Sequence, residues 1–163
     1  SHWKSRTVCE GDSVYFEIPS AVHRCDACLL RTEFVGEPPK KVRSIFNAFA
    51  EALDTAIAKI QPGVRASSID QACRRVIREA GYGSHSPHRT GYSIGIAFPP
   101  SWGEGHLISL GPGEDIVLEP NMVFHVPRVA FLPEHGAIGL SATIVVTEEG
   151  CDPVADLGRE FLQ

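Results

Sequence analysis

Arg89-Thr-Gly-Tyr-Ser-Ile-Gly95, followed by Phe98-Pro-Pro-Ser-Trp-Gly-Glu104 and by Val117-Leu-Glu-Pro-Asn-Met-Val123, carries the strongest architectural signal in the chain. Gly91 and Gly95 bracket Tyr92, and residues without a Cβ let a backbone approach a ligand closely. Short apolar runs at 91–98, 106–110, 115–118, 122–131 and 138–147 are separated by glycine and proline. That punctuation predicts an antiparallel, loop-rich sheet.

Upstream the pattern differs. Ser13 to Ile18 and Ala27 to Val35 are rich in β-favouring residues, with Pro19-Ser20 interrupting, and read as two strands around a turn. Val42, Ile45, Phe46, Phe49, Leu53, Ala56, Ile57 and Ile60 recur at spacings of three and four, predicting a helix over about 40–60 that Gln61-Pro62-Gly63 stops. Ser68 with Gln71 three residues later has the form of a capping box. Ile69, Ala72, Val76, Ile77 and Ala80 give that second helix its apolar face, and Gly81 ends it. The order hairpin, two helices, sheet predicts an α+β domain with helices on one face of the sheet. The tail 151–163 has Phe161 and Leu162 as candidate anchors, with disorder as the alternative.

A formal net charge of −5 and a pI near 5.8 argue against a basic nucleic-acid footprint. No apolar run reaches the roughly 20 residues needed to span a bilayer, and the N-terminus lacks a signal-peptide layout. Five scattered cysteines suit reduced thiols and predict a cytoplasmic protein. Cys25 and Cys28 form a Cys-x-x-Cys, but no second ligand pair accompanies them and they fall in a strand-like segment, against a zinc or redox site.

The motifs above, with Phe16-Glu17 and Leu30-Arg31-Thr32 upstream, resemble the C-terminal catalytic domain of the pita-bread superfamily, which is peptidase M24-like. Its members include methionine aminopeptidase, aminopeptidase P, prolidase, creatinase and ectoine hydrolase. The resemblance runs from about Glu10 to Asp152 and implies a partial pita-bread domain. Residues 1–163 are expected to be one incomplete domain without its N-terminal portion or any separate N-terminal domain. Such a domain would leave an apolar sheet edge exposed, with self-association or poor solubility as the consequence. Relatives are commonly homodimers, which is the expectation for the full-length protein.

Metal-dependent members hold two ions on two aspartates eleven residues apart, a histidine, a glutamate of a Glu-Pro-Gly turn and a late-strand glutamate. The resemblance carries these onto Glu17, Cys28, Tyr92, Glu119 and Ser141. Two carboxylates, a thiol, a phenol and a hydroxyl make a poor set for two hard cations. The resemblance is nearest to the metal-free, ectoine hydrolase-like branch: Gly-Tyr-Ser-Ile-Gly, Pro-Pro-x-Trp-Gly-Glu and Met122-x-Phe124-His125 belong to its pattern. That branch tends to have Tyr-His where Cys25-Asp26 stand, and acidic residues where Gly139 to Ala142 are small.

The implied activity is metal-independent hydrolysis of a non-peptide C–N bond in a small polar molecule, with no cofactor. Glu17 alternates with Phe16 and Ile18, so its local reading is a solvated carboxylate; the resemblance makes it a base or nucleophile. Tyr92 would donate to an oxyanion, Glu119 would donate or orient, and His125 would share the acid–base work. Arg89 would bind a substrate carboxylate, and Phe98 and Trp102 would wall the pocket. His85 and His88 lie in the loop before Arg89, and His106 and His135 read as surface residues. The alternative is a metal-dependent Xaa-Pro dipeptidase or aminopeptidase using manganese or another divalent metal. A third reading is an inactive binding module.

Overall fold

The computed structural model describes residues 5–98 and 101–161. Strands β1 (Ser13–Val22) and β2 (Cys25–Phe34) pair in antiparallel register from Ser13↔Phe34 to Val22↔Cys25. His23 and Arg24 turn the chain with φ of 52° and 68°, the left-handed conformation that matches the twist of a two-residue hairpin. Proline does not interrupt β1 as the sequence suggested. Pro19 pairs with Cys28 inside a ten-residue strand, because β1 is the edge of the sheet and an edge strand tolerates a missing N–H. Cys25 is exposed and Cys28 buried, three residues apart on opposite faces, so the two thiols form no pair.

Helix α1 (Lys40–Lys59) follows Pro39, and its predicted stripe is the buried one. Helix α2 (Ala66–Glu79) begins two residues before the proposed capping box. The Ser68 hydroxyl instead donates back to the Arg65 carbonyl at 2.8 Å, so it caps nothing. The other end follows expectation. Gly81 takes φ +85°, its N–H bonds the Arg78 carbonyl, and the Tyr82 N–H bonds the Ile77 carbonyl, which is a Schellman closure. No helix among the described residues is long and apolar enough to cross a membrane.

The rest of the chain supplies β3 (Gly91–Phe98), β4 (Ser101–Gly103), β5 (Ser109–Leu110), β6 (Val123–Leu132), β7 (Gly136–Val146) and β8 (Cys151–Ala155). The sheet order is β1-β2-β3-β6-β7-β8, with β4 and β5 pairing β3, and every pairing is antiparallel. The run 115–118 makes only an isolated bridge, Arg65↔Val117. The tail is tied down: β8 pairs β7, and Phe161 stacks on Phe46 at 4.1 Å between ring centroids. Leu162 lies outside the described residues. Both helices contribute to one core with the inner faces of β6 and β7, so the α+β class holds. On β1, Phe16, Ile18 and Val22 are exposed.

The sheet curls until β2 meets β7, and hydroxyls join them. The Leu30 N–H donates to Ser141 Oγ at 2.8 Å and the Cys28 N–H to Thr143 Oγ1 at 3.1 Å, while Thr32 Oγ1 donates to the Gly139 carbonyl at 3.0 Å. Gly139, Ser141 and Thr143 are the β7 residues that meet β2, and all three are small. A Cβ on Gly139 would stand 2.4 Å from the Arg128 carbonyl oxygen and 3.1 Å from Val129 Cα. Both neighbours are backbone and cannot swing aside. A Gly139→Ala variant should therefore lose about 2 kcal/mol, the usual scale for overpacking, in a urea melt. Unchanged stability would refute this account of the close β6–β7 contact at Gly139.

Candidate active site

A cavity of about 530 Å³ opens between β1, β3, β6 and the loop before β3, lined among others by Glu17, His88, Arg89, Tyr92, Pro127 and Arg128. Glu17 reaches it because it shares a strand face with Tyr15 and lies opposite Leu30, while Phe16 and Ile18 take the other face. Partial burial pushes its carboxyl above the ordinary carboxylate range, although much of the side chain still meets solvent.

Tyr92 stands at the centre. Its hydroxyl lies 2.8 Å from His125 Nδ1 and accepts from Trp102 Nε1 at 3.3 Å. Behind it, His125 Nε2 lies 2.8 Å from Ser141 Oγ. Register explains the grouping: Tyr92 pairs with His125 across β3 and β6, and His125 with Thr143 across β6 and β7. His125 is wholly buried, which lowers its pKa to about 4 and keeps the ring neutral at pH 7. Burial also raises the Tyr92 phenol, against which the Trp102 bond acts.

Arg89 is seated by design of its surroundings. Its Nη1 donates to Ser109 Oγ at 2.9 Å and to the Gly105 carbonyl at 3.1 Å, and its guanidinium carbon lies 5.0 Å from the Tyr92 ring centroid. A Cβ on Gly105 would come within 2.2 Å of Arg89 Nη2, so that glycine is the seat. Its bonded partners are neutral, leaving the cation free for an anionic ligand group.

Several sequence expectations need correction. Glu119 is exposed on the turn before β6 and does not line this cavity, so the two carboxylates do not meet. The β6 residue that faces the cavity opposite Ser141 is Pro127, which has no donor to offer. His125 cannot reach a substrate, because it is buried and both ring nitrogens are engaged. Phe98 is 62% exposed, lies under the Arg24 guanidinium at 4.4 Å, and lines a separate cavity of about 290 Å³. Trp102 lines that second cavity too and touches the first site only through Tyr92. Pro99 and Pro100 lie outside the described residues. Of the other histidines, His88 lines the Glu17 cavity and packs edge-on to Phe131, while His106 is exposed.

A brace behind the site escaped the sequence reading. Asp70, buried in α2, accepts from the Thr90 N–H at 3.2 Å, the Thr90 hydroxyl at 2.8 Å and Arg74 Nε at 2.7 Å. Arg74 donates to the His88 carbonyl at 2.8 Å, and the buried Arg128 to the Arg89 carbonyl at 2.6 Å. Carbonyls drawn inward in this way leave the His88 and Arg89 side chains on the cavity side. The (i, i+4) spacing of Asp70 and Arg74 was the available signal.

These donors do not fit a pair of divalent ions. Glu17 is the single carboxylate among the cavity's lining residues. The Cys28 thiol is pushed up to about 12 by burial, then by Glu17, and the Tyr92 and Ser141 oxygens are committed to His125. Among the described residues, no group of three or more histidine, cysteine and acidic side chains is placed to hold a metal.

Residues 1–148 match the profile of metallopeptidase family M24. The chain belongs to that family. It is 32% identical over 159 residues to an ectoine hydrolase of Halomonas elongata, covering 98% of this chain and 39% of that protein. It is 27% identical over 152 residues to a Xaa-Pro dipeptidase of Pyrococcus furiosus, covering 93% of this chain and 42% of the relative. The solved dipeptidase PepE of Mycobacterium ulcerans superposes with a TM-score of 0.86 at 26% identity, over 98% of this chain and 42% of that one. The fold is therefore pita-bread, a curled antiparallel sheet with two helices, and the chain spans about two-fifths of the length of these relatives.

Proposed function

We propose that this M24 domain serves a hydrolase that opens a non-peptide C–N bond in a small polar molecule without metal assistance. The observation that carries the reading is the donor set of the cavity: a single carboxylate, Glu17, with two phenols, Tyr15 and Tyr92, one imidazole, His88, and two guanidiniums, Arg89 and the buried Arg128. That set is poor for two cations and suits a molecule bearing a carboxylate and an electrophilic carbon. The relative named ectoine hydrolase supports this reading, while the Xaa-Pro dipeptidase relative supports the metal-dependent alternative.

In the proposed reaction Arg89 holds the substrate carboxylate and Glu17 takes a proton from water. The water oxygen bonds to the amidine carbon as the C=N electron pair moves onto nitrogen, which takes the proton from Glu17. Glu17 then takes the proton of the new hydroxyl, the Tyr92 hydroxyl donates to the oxyanion so formed, and the carbonyl closes as the C–N bond breaks, its electron pair leaving on nitrogen with that second proton. Direct attack by the Glu17 carboxylate is the variant of this scheme, with water then releasing the acyl-enzyme. His125 and Glu119 have no step in it.

Hydrolysis of a cyclic amidine carboxylate and of Xaa-Pro dipeptides by the full-length protein, before and after chelation, tests the proposal. Amidine opening should persist through chelation and gain nothing from added manganese. Stoichiometric metal in elemental analysis, with dipeptide cleavage abolished by chelator and restored by manganese, would overturn it.

A further inference from the structure

The chain of hydroxyls and ring nitrogens running through His125 has a direction, and the burial of its two ends decides it. Ser141 Oγ already accepts the Leu30 N–H at 2.8 Å, and its residue is wholly buried. Its own proton needs an acceptor, and His125 Nε2, 2.8 Å away, is the acceptor found for it among the described residues. Tyr92 sits at the other end, half-buried on the cavity wall.

A neutral imidazole carries one N–H, so two arrangements are possible. In one, Tyr92 donates to Nδ1, Nε2–H donates to Ser141, and the Ser141 proton is stranded in the core. In the other, Ser141 donates to Nε2, Nδ1–H donates to the Tyr92 oxygen, and the spare proton is that of Tyr92, at the cavity. A buried donor without a partner is the costlier defect, whereas a phenol at an open cavity finds water or a ligand. The edge-on placement of the two rings, with centroids 5.3 Å apart and planes at 85°, keeps the phenol oxygen in line with the ring nitrogen.

We infer that Ser141 and His125 are positioning residues that hold the Nδ1–H tautomer and thereby turn the Tyr92 hydroxyl proton into the Glu17 cavity. The Tyr92 oxygen then accepts from two N–H groups, His125 Nδ1 and Trp102 Nε1, and can act toward a ligand only as donor. The catalytic meaning of this arrangement rests on the function proposed above. The tautomer does not, and it is measured without substrate.

The test is ¹⁵N-resolved histidine NMR on this chain at pH 7, which separates the two neutral tautomers by their nitrogen shifts and long-range couplings. The His125 signal is assigned by its loss in H125Q or, where that variant does not fold, by its displacement in Y92F. We expect Nδ1 protonated and Nε2 bare in the unliganded protein. Removing the donor in S141A should shift His125 away from that single tautomer while leaving the other histidine signals in place. An Nε2–H tautomer in the wild type would overturn the inference, and so would an S141A spectrum in which the His125 tautomer is unmoved. An inactive full-length protein with the Nδ1–H tautomer would refute the proposed function alone.

Discussion

A Glu17→Gln substitution in the full-length protein should lower kcat for C–N bond hydrolysis by about 10³-fold, the scale expected when a general base is lost, while KM moves little. Glutamine keeps the shape and the hydrogen-bonding reach of the residue but cannot accept the proton of water. No second carboxylate lines the cavity, since Glu119 is on the outer turn, and the His125 imidazole is buried with both nitrogens bonded. Burial raises the Glu17 pKa, so the wild-type rate should fall on the acid side at a pH above the ordinary carboxylate range, as the base becomes protonated. The variant's residual rate should lose that limb. Its stability should hold, since the change removes a charge that its surroundings disfavour. Turnover within tenfold of wild type, at unchanged thermal midpoint, would exclude Glu17 as the base.

What the sequence made legible follows from the range of the interactions involved. The helix over 40–60 and the glycine closing the second helix are local, set by apolar spacing and by the conformational freedom of Gly81, and both stand where they were predicted. The start of α2 was misread because Ser68 has two local partners to choose from, and its hydroxyl took the Arg65 carbonyl. The docking of Phe161 on Phe46 depends on a contact about a hundred residues away in sequence, and β8 on its register with the neighbouring β7, neither of which periodicity carries. The resemblance brought Glu17, Tyr92, Cys28 and Ser141 to one region of the sheet, and they lie there. It misplaced Glu119, because a Glu-Pro pair in a turn looks alike wherever it falls, and only the register shows Pro127 opposite Ser141. His125 was legible as site-facing but not as buried. Its burial is made by the β2–β7 closure, which runs through hydroxyl side chains and leaves no apolar pattern to read.

Acid should destabilise this fold steeply through that same histidine. In the unfolded chain His125 titrates near 6.5, and in the folded protein burial holds it to about 4. Between those values the unfolded state binds a proton that the folded state refuses, so stability rises with pH across the window and falls as the pH drops through it. The contribution is fully present above about 6.5 and absent below about 4, and amounts to about 3 kcal/mol over the window. His125 is wholly buried, so solvent screening does not reduce it. Glu17 acts with the opposite sign: its folded pKa is raised, so its contribution is present at low pH and lost as the pH rises. Urea melts at pH 7.0, 5.5 and 4.5 should therefore be compared in the Glu17→Gln background, with His125 and with His125→Gln. At neutral pH the His125 chain should be the more stable, because it keeps the bonds to Tyr92 and Ser141. By pH 4.5 its advantage should shrink by about 2 kcal/mol, since the glutamine takes up no proton in either state. Parallel pH profiles for the two chains would mean that His125 is solvated, and with that the buried hydroxyl chain behind Tyr92 would lose its foundation.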